Sequence, residues 1–248
     1  MRGILTGPAF GAIAFVPNPA SPAHVHAAPT HAIFTDPVNN RVVYVNTSAA
    51  PISAVAATLA STPGSIAASP DGTEAYAVAP LEACIHRIRL HPAPPALIDS
   101  AWRCSADLSG RQHIAAPQRT PGKEPGQFPN VYVTRPGQTP SIVKFSGDAT
   151  EFDPPVMPVH DGSTIPSPTA FAVEQRHGLF LATASAGGAI HLVDLNATGY
   201  PVRSLGTVAN AASLAVSGDG RTVFVAATTV NRITAIDVET PAQTQWSG

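Results

Sequence analysis

The chain has 248 residues, a formal net charge of −2 and only 12% charged residues, about half of the roughly 25% expected of an average soluble chain. No cluster of Lys and Arg is present to neutralise phosphates, the interaction that supplies most of the affinity for nucleic acids, so a nucleic-acid partner is excluded. The length suits one sizeable core, and beyond the N-terminus no apolar run approaches the roughly 20 residues that would cross a bilayer.

In chain order, residues 1–30 allow two readings that exclude each other. One is a secretory signal, with Arg2, an apolar stretch from Ile4 to Val16 and a small-residue exit at Val25-His26-Ala27. Pro8, the glycines and the single positive charge speak against it. The other is a strand in "GAIAFVP", which carries β-branched Ile13 and Val16 and stops at Pro17.

From residue 31 the chain repeats itself. "SIAASPDGTEAYAVAPLEACIHRIRL" (residues 65–90) matches "SLAVSGDGRTVFVAATTVNRITAIDV" (residues 213–238) without a gap. Each copy has an apolar run, an Asp-Gly pair (Asp71-Gly72 or Asp219-Gly220), and then two segments of strand character. Gly accepts positive φ without steric cost and Asp bonds its own backbone, so the pair turns the chain between strands. An aromatic marks the second segment at Tyr44, Tyr76, Tyr132, Phe180 and Phe224, with spacings of 32, 56, 48 and 44 residues. An isoleucine follows each marker at Ile52, Ile85, Ile142, Ile190 and Ile233. A period near 45 residues, short strands and no helical pattern predict an all-β fold, a β-propeller of about five blades. A truncated or incomplete six- to seven-bladed ring is the alternative. The fifth unit reaches "VETPAQTQWSG" with no fourth strand recognised, so residues 11–16 are expected to pair near residues 233–238 and close the ring. The domain reading is an N-terminal segment (1–30), either closing strand or signal, followed by the propeller (31–248).

These repeats, "SPDGTEAYAVA" and "SGDGRTVFVAATTVNRITAIDVET" above all, resemble the YVTN-type propeller repeat, which lactonase-like propellers and quinoprotein amine dehydrogenase β-chain-like domains share in looser form. The resemblance covers roughly residues 31–240 and is weakest in the third unit, where "PQRTPGKEPGQFPN" replaces the tight turn. It specifies fold better than function, because such scaffolds host unrelated activities.

Two cysteines stand in the second unit. If "HPAPPA" is a hairpin centred on Pro94, cross-strand partners have residue numbers summing to 188, as 84 and 104 do. Cys84 and Cys104 are then opposite each other and expected to form a disulfide, which favours a periplasmic or secreted location over the cytoplasm.

Propeller ligands gather where loops lead into the innermost strands and where second strands turn into third strands. The first set supplies His31, Ser65, His113, Thr169 and Ser213; the second supplies Ser48, Glu82, Arg135, Ser185 and Asn231. The expected ligand-binding residues are His31, Glu82, His113, Arg135 and Asn231. His31 and His113 read as comparable loop positions that approach each other across the channel, and with Glu82 they have the chemistry of divalent-metal ligands. Loop histidines are usually solvated or capping, however, and no metal and no cofactor is expected. "TASAG" (residues 183–187) begins with Thr and lies between strands, unlike the strand-to-helix nucleophile elbow. Asp71, Asp219, Asp194 and Asp237 recur at equivalent places, which marks them as repeat structure rather than catalytic groups. Asn46-Thr47-Ser48 and Asn196-Ala197-Thr198 fit the glycosylation pattern. The expected function is a non-catalytic, exported propeller presenting a loop-lined face to a protein or small-molecule ligand. The alternative is a lactonase-like hydrolase or a quinoprotein-dehydrogenase-related enzyme, with His or Glu as general base.

Overall fold

The computed structural model describes residues 11–16, 31–46, 53–69, 72–90, 96–104, 108, 113–116, 131–134, 142–145, 157–160, 165, 168–173, 180–185, 187–195, 197, 200–217 and 219–247. Among them the chain is all β, with helix confined to short 3-10 turns such as Thr228–Val230. The chain divides into two compact units, residues 1–116 and 117–248, and the twenty strands among the described residues form five four-stranded antiparallel sheets.

In the first unit, one sheet is ordered β1 (Ile13–Val16), β2 (His31–Asp36), β3 (Arg41–Asn46), β4 (Ser53–Thr58), and the next β5 (Ile66–Ala68), β6 (Glu74–Ala79), β7 (Cys84–Arg89), β8 (Ala96–Cys104). β9 (Ile114–Ala115) ends the unit and belongs by strand order to the third sheet. Period-two alternation puts Val16, Ile33, Val42 and Ala57 on one face of the first sheet. They pack on Ile66, Ala75, Ala77 and Ile88 of the second. Burying each large aliphatic side chain contributes about 1.5–3 kcal/mol. In β6, "EAYAVA" is buried at every position after Glu74. A strand buried on both faces has no polar face to show, which is why this segment reads as a continuous apolar run.

The second unit continues with β10 (Val131–Thr134), β11 (Ile142–Phe145) and β12 (Met157–His160); then β13 (Pro168–Val173), β14 (Phe180–Ser185), β15 (Ala189–Asp194) and β16 (Val202–Thr207); and last β17 (Ala211–Val216), β18 (Thr222–Ala227), β19 (Arg232–Asp237) and β20 (Gln243–Ser247). Ala184, Ile190, Leu192 and Leu205 of the fourth sheet meet Val223, Val225 and Ile236 of the fifth. First strands pack against first strands, β1 on β5, β5 on β9 and β13 on β17.

The N-terminal strand exists but not where the repeat count placed it. Its register is Ile13↔Phe34 through Val16↔His31, so it opens the first sheet. The far side of β19 is occupied by β20, Arg232↔Ser247 through Ile236↔Gln243. The last sheet therefore has its own fourth strand, in the polar "QTQWS". The repeat count also slipped by one strand in the first sheet. Tyr44 lies on the third strand of its sheet, whereas Tyr76, Tyr132, Phe180 and Phe224 lie on second strands. The equivalent aromatic is Phe34 on β2, 42 residues before Tyr76.

Turn chemistry explains the repeated phrase. Ser217 N–H donates to Thr222 O (2.9 Å), Thr222 N–H returns to Ser217 Oγ (2.9 Å), and Gly220 N–H donates to Ser217 O (3.0 Å). Ser69 repeats all three bonds, with Glu74 and Gly72 as partners. Gly72 and Gly220 take φ of 69° and 72°, as the Asp-Gly reading requires. Asp71 lies outside the described residues. The serine that clamps each turn carries the rest of the signal.

Cys84 and Cys104 are paired in register and bonded, with Cα atoms 4.1 Å apart. Cys84↔Cys104 and Ile85↔Arg103 keep the expected sum. Nearer the turn the register shifts at Ile85/Arg87 and again at Arg87/Ile88, ending at Arg89↔Ala96. The hairpin is thus not centred on Pro94 along its whole length; bulged strand residues restore the alignment at the sulfurs.

Candidate functional site

Second strands turn into third strands at one end of each sheet, and these turns share a backbone device. The residue immediately before the third strand is left-handed in four sheets: Asn40 (φ 50°), Ala83 (φ 53°), Gly188 (φ 80°) and Asn231 (φ 45°). Asn and Gly adopt this conformation readily, while Ala is strained there by about 1–2 kcal/mol.

In the first unit the turns are tied into the surrounding chain. Thr35 Oγ1, fully buried, accepts from Ala12 N–H (2.7 Å) and donates to Gly64 O (3.0 Å). Gly64 N–H donates to Val78 O (2.7 Å), and Val78 N–H to Ser65 O (3.0 Å). Asp36, also buried, accepts from Asn39 N–H (3.2 Å), Asn39 Nδ2 (2.8 Å) and Arg41 Nε (2.8 Å). The Asn39 side-chain hydrogen bond, with that of Arg41, holds the Asp36 carboxyl below its ordinary pKa despite burial. These bonds fix the 37–40 turn, whose tip presents Val38 with 68% of its surface exposed. The corresponding 80–83 turn presents Leu81 at 84%. In the second unit the same turn of the last sheet carries Val230, 46% exposed.

Of the residues expected to line a ligand face, Glu82 and Asn231 sit on these turns and are exposed. Glu82 Oε2 lies 3.2 Å from Nε2 of the fully buried His86. His113 directly precedes β9 and is half-buried. His31 requires correction. It begins β2 opposite Val16 and Asn46, at the other end of its sheet from the 37–40 turn, and its ring stacks on Tyr44 at 5.0 Å. The innermost strand of the first sheet is instead approached through Gly11 and Ala12, so His31 and His113 are not comparable loop positions. Ser48 likewise follows β3, the third strand; its intended place belongs to the 37–40 turn. Ser48 and Arg135 lie outside the described residues. Among the described residues no three His, Cys, Asp or Glu side chains come together as a metal site, and no helix is long and apolar enough to cross a membrane.

Val38, Leu81 and Val230 escaped the sequence reading. Their signal is an apolar residue at the tip of "DPVNN", "PLEA" and "TTVN", recognisable once the turns are aligned on the left-handed residue.

No protein-family model matches the sequence, and no curated protein matches it either. Solved structures do. A chain of a nidogen/laminin complex superposes with a TM-score of 0.66 at 11% identity, covering 96% of this chain and 80% of that one. A functionally unknown protein from Desulfotomaculum acetoxidans DSM 771 gives 0.64 at 15% identity, covering 96% and 70%. The fold is a β-propeller of about five blades. The exposed Val38 and Leu81 thus lie on turns from the second to the third strand of the first two blades.

Proposed function

We propose that the protein is a non-catalytic binding propeller that engages a protein partner through the turns between second and third strands. One observation carries this reading: Leu81, 84% exposed, stands at the tip of a short turn. An apolar side chain gains nothing from water in that place, whereas a partner that covers it gains its transfer free energy. Val38 repeats the arrangement on the neighbouring blade and is held by the Asp36 hydrogen bonds, so little ordering cost remains for binding. The nidogen/laminin neighbour, a structure of a protein complex, is in keeping with a protein partner. The YVTN-type repeat is the finer family reading, supported by the Ser-x-Asp-Gly turns. The disulfide supports export to an oxidising compartment.

A photo-crosslinking residue at position 81 is the test. It should capture one protein from the native source, and a Val38→Ser substitution in the same chain should reduce that capture at least fivefold. Equal capture by both would sink the reading. The lactonase-like alternative rests on the Glu82–His86 pair, a carboxylate beside an imidazole. It requires lactone hydrolysis by the wild-type protein that Glu82→Gln abolishes.

A further inference from the structure

One contact recurs beneath the two exposed tips of the first unit. Pro37 and Pro80 open the turns that present Val38 and Leu81, and each lies against a glycine that leads into an innermost strand, Gly11 before β1 and Gly64 before β5. A Cβ on Gly11 would stand 3.0 Å from Pro37 Cγ and 2.7 Å from Thr35 Oγ1; one on Gly64 would stand 3.2 Å from Pro80 Cγ. Carbon atoms pack best at about 3.5–4.0 Å, so glycine is what lets the chain pass this close. The Val230 turn, "TTVN", has no proline, and its tip is less exposed than the other two. Thr35 joins the two contacts. It stands two residues before Pro37, and its backbone is bonded to the entering chain, Gly11 N–H to Thr35 O (3.0 Å) and Thr35 N–H to Ala12 O (3.0 Å). Its buried hydroxyl accepts from Ala12 N–H in the first blade and commits its one proton to Gly64 O at the edge of the second. Gly64 N–H in turn holds Val78 O, two residues before Pro80.

We infer that Thr35 is a positioning residue that makes Val38 and Leu81 one two-point site, met by a single protein partner, rather than two independent tips. The inference rests on the binding reading above and adds how the site is held. Pro37, Thr35, Gly64 and Pro80 form a continuous path between the turns, so fixing one turn fixes the other. A partner that covers both tips finds them already ordered with respect to each other and loses little conformational entropy on binding.

Amide hydrogen exchange, read residue by residue by NMR, tests the coupling and needs no partner. Thr35→Val keeps the shape of the side chain and removes the hydroxyl that joins Ala12 N–H to Gly64 O. Exchange at the N–H groups of Gly64, Val78 and Glu82, whose acceptors are Val78 O, Ser65 O and Ala79 O, should quicken at least fivefold, while Thr222 and Val238 N–H in the last blade keep wild-type rates. Thr35→Ser retains a hydroxyl and should return all three to wild-type exchange. Gly64→Ala reads the path in reverse, because it crowds Pro80 and leaves every side-chain donor in place. Ala12 and Asn39 N–H, bonded to Thr35 Oγ1 and Asp36 Oδ1, should then exchange at least threefold faster. Unchanged rates across the blade boundary in either variant overturn the inference. So does equal acceleration of all amides in Thr35→Val, which is what a loss of global stability alone produces. Exchange is measured on the chain by itself, so its failure is distinct from a failure of capture at position 81.

Discussion

Ala83 carries a conformation that suits Asn or Gly and occupies it immediately before the disulfide-bonded strand β7. Asn40, Gly188 and Asn231 hold the equivalent place elsewhere, so the geometry is imposed by the turn and not by the residue. Ala83→Gly should therefore relieve the left-handed strain of about 1–2 kcal/mol, less the roughly 0.5–1 kcal/mol of extra chain entropy glycine loses on folding. The expected outcome is a melting temperature higher by about 1–3 °C, since 1 kcal/mol is worth about 2–4 °C at this chain length; calorimetry checks it. Charge acts at the same scale. Burial lowers the pKa of His191, half-buried on β15, from the ordinary 6.5. Its folded pKa lies below its unfolded one, so its contribution to stability is present above pH 6.5 and is lost as pH falls through the folded value. Asp36, Asp219 and Asp237 are held below the ordinary 3.8 chiefly by bonds from the Asn39 side chain, the Ser217 hydroxyl and the Thr240 backbone N–H respectively. Their contributions persist down to about pH 4 and disappear below it. Denaturant midpoints measured against pH should show two separate losses, and His191→Gln should diminish the upper one while leaving the lower.

Strands and turns were legible in the sequence to the extent that burial was lopsided. β6 and β18 follow Asp-Gly pairs and bury apolar side chains, so their aromatic markers locate them. β20 did not announce itself. Its described side chains, from Gln243 to Trp246, are all exposed, and an outer strand held by backbone bonds to β19 needs no apolar pattern. That omission made the last blade look one strand short and turned β1 into a candidate to complete it. The first blade compounded the error, because both Phe34 and Tyr44 sit in β-branched runs and only pairing distinguishes a second strand from a third. The cysteine pairing was legible for a different reason. Numerical symmetry about a turn survives at the sulfurs even though the strand between them is bulged. Binding positions were the least legible. Glu82 and Asn231 belong to the right turns, but His31 inherited the one-strand slip of the first blade, and the apolar tips were invisible to a search for polar chemistry.

Across the whole molecule, a strand's rank within its blade governs how much its removal should cost. First strands in the first unit stand against first strands of the next blade, and Val16 and Ile66 are enclosed there. Three fourth strands are largely exposed: Ala54, Val55 and Ala56 of β4, Arg203 and Ser204 of β16 and Gln243 to Trp246 of β20. Removing residues 1–16 takes away Val16, whose burial is worth about 1.5–3 kcal/mol. It also takes the Ala12 N–H that Thr35 accepts and the backbone partners of β2, leaving a row of strand groups open at the centre of the blade. Removing residues 243–248 strips an exposed strand whose loss is compensated by water at the backbone of β19. The N-terminal truncation should therefore lower the melting temperature by at least twice as much as the C-terminal one. Equal losses, or a larger one from the C-terminal cut, would mean that the outer strands support the blades as strongly as the inner ones, contrary to the burial gradient.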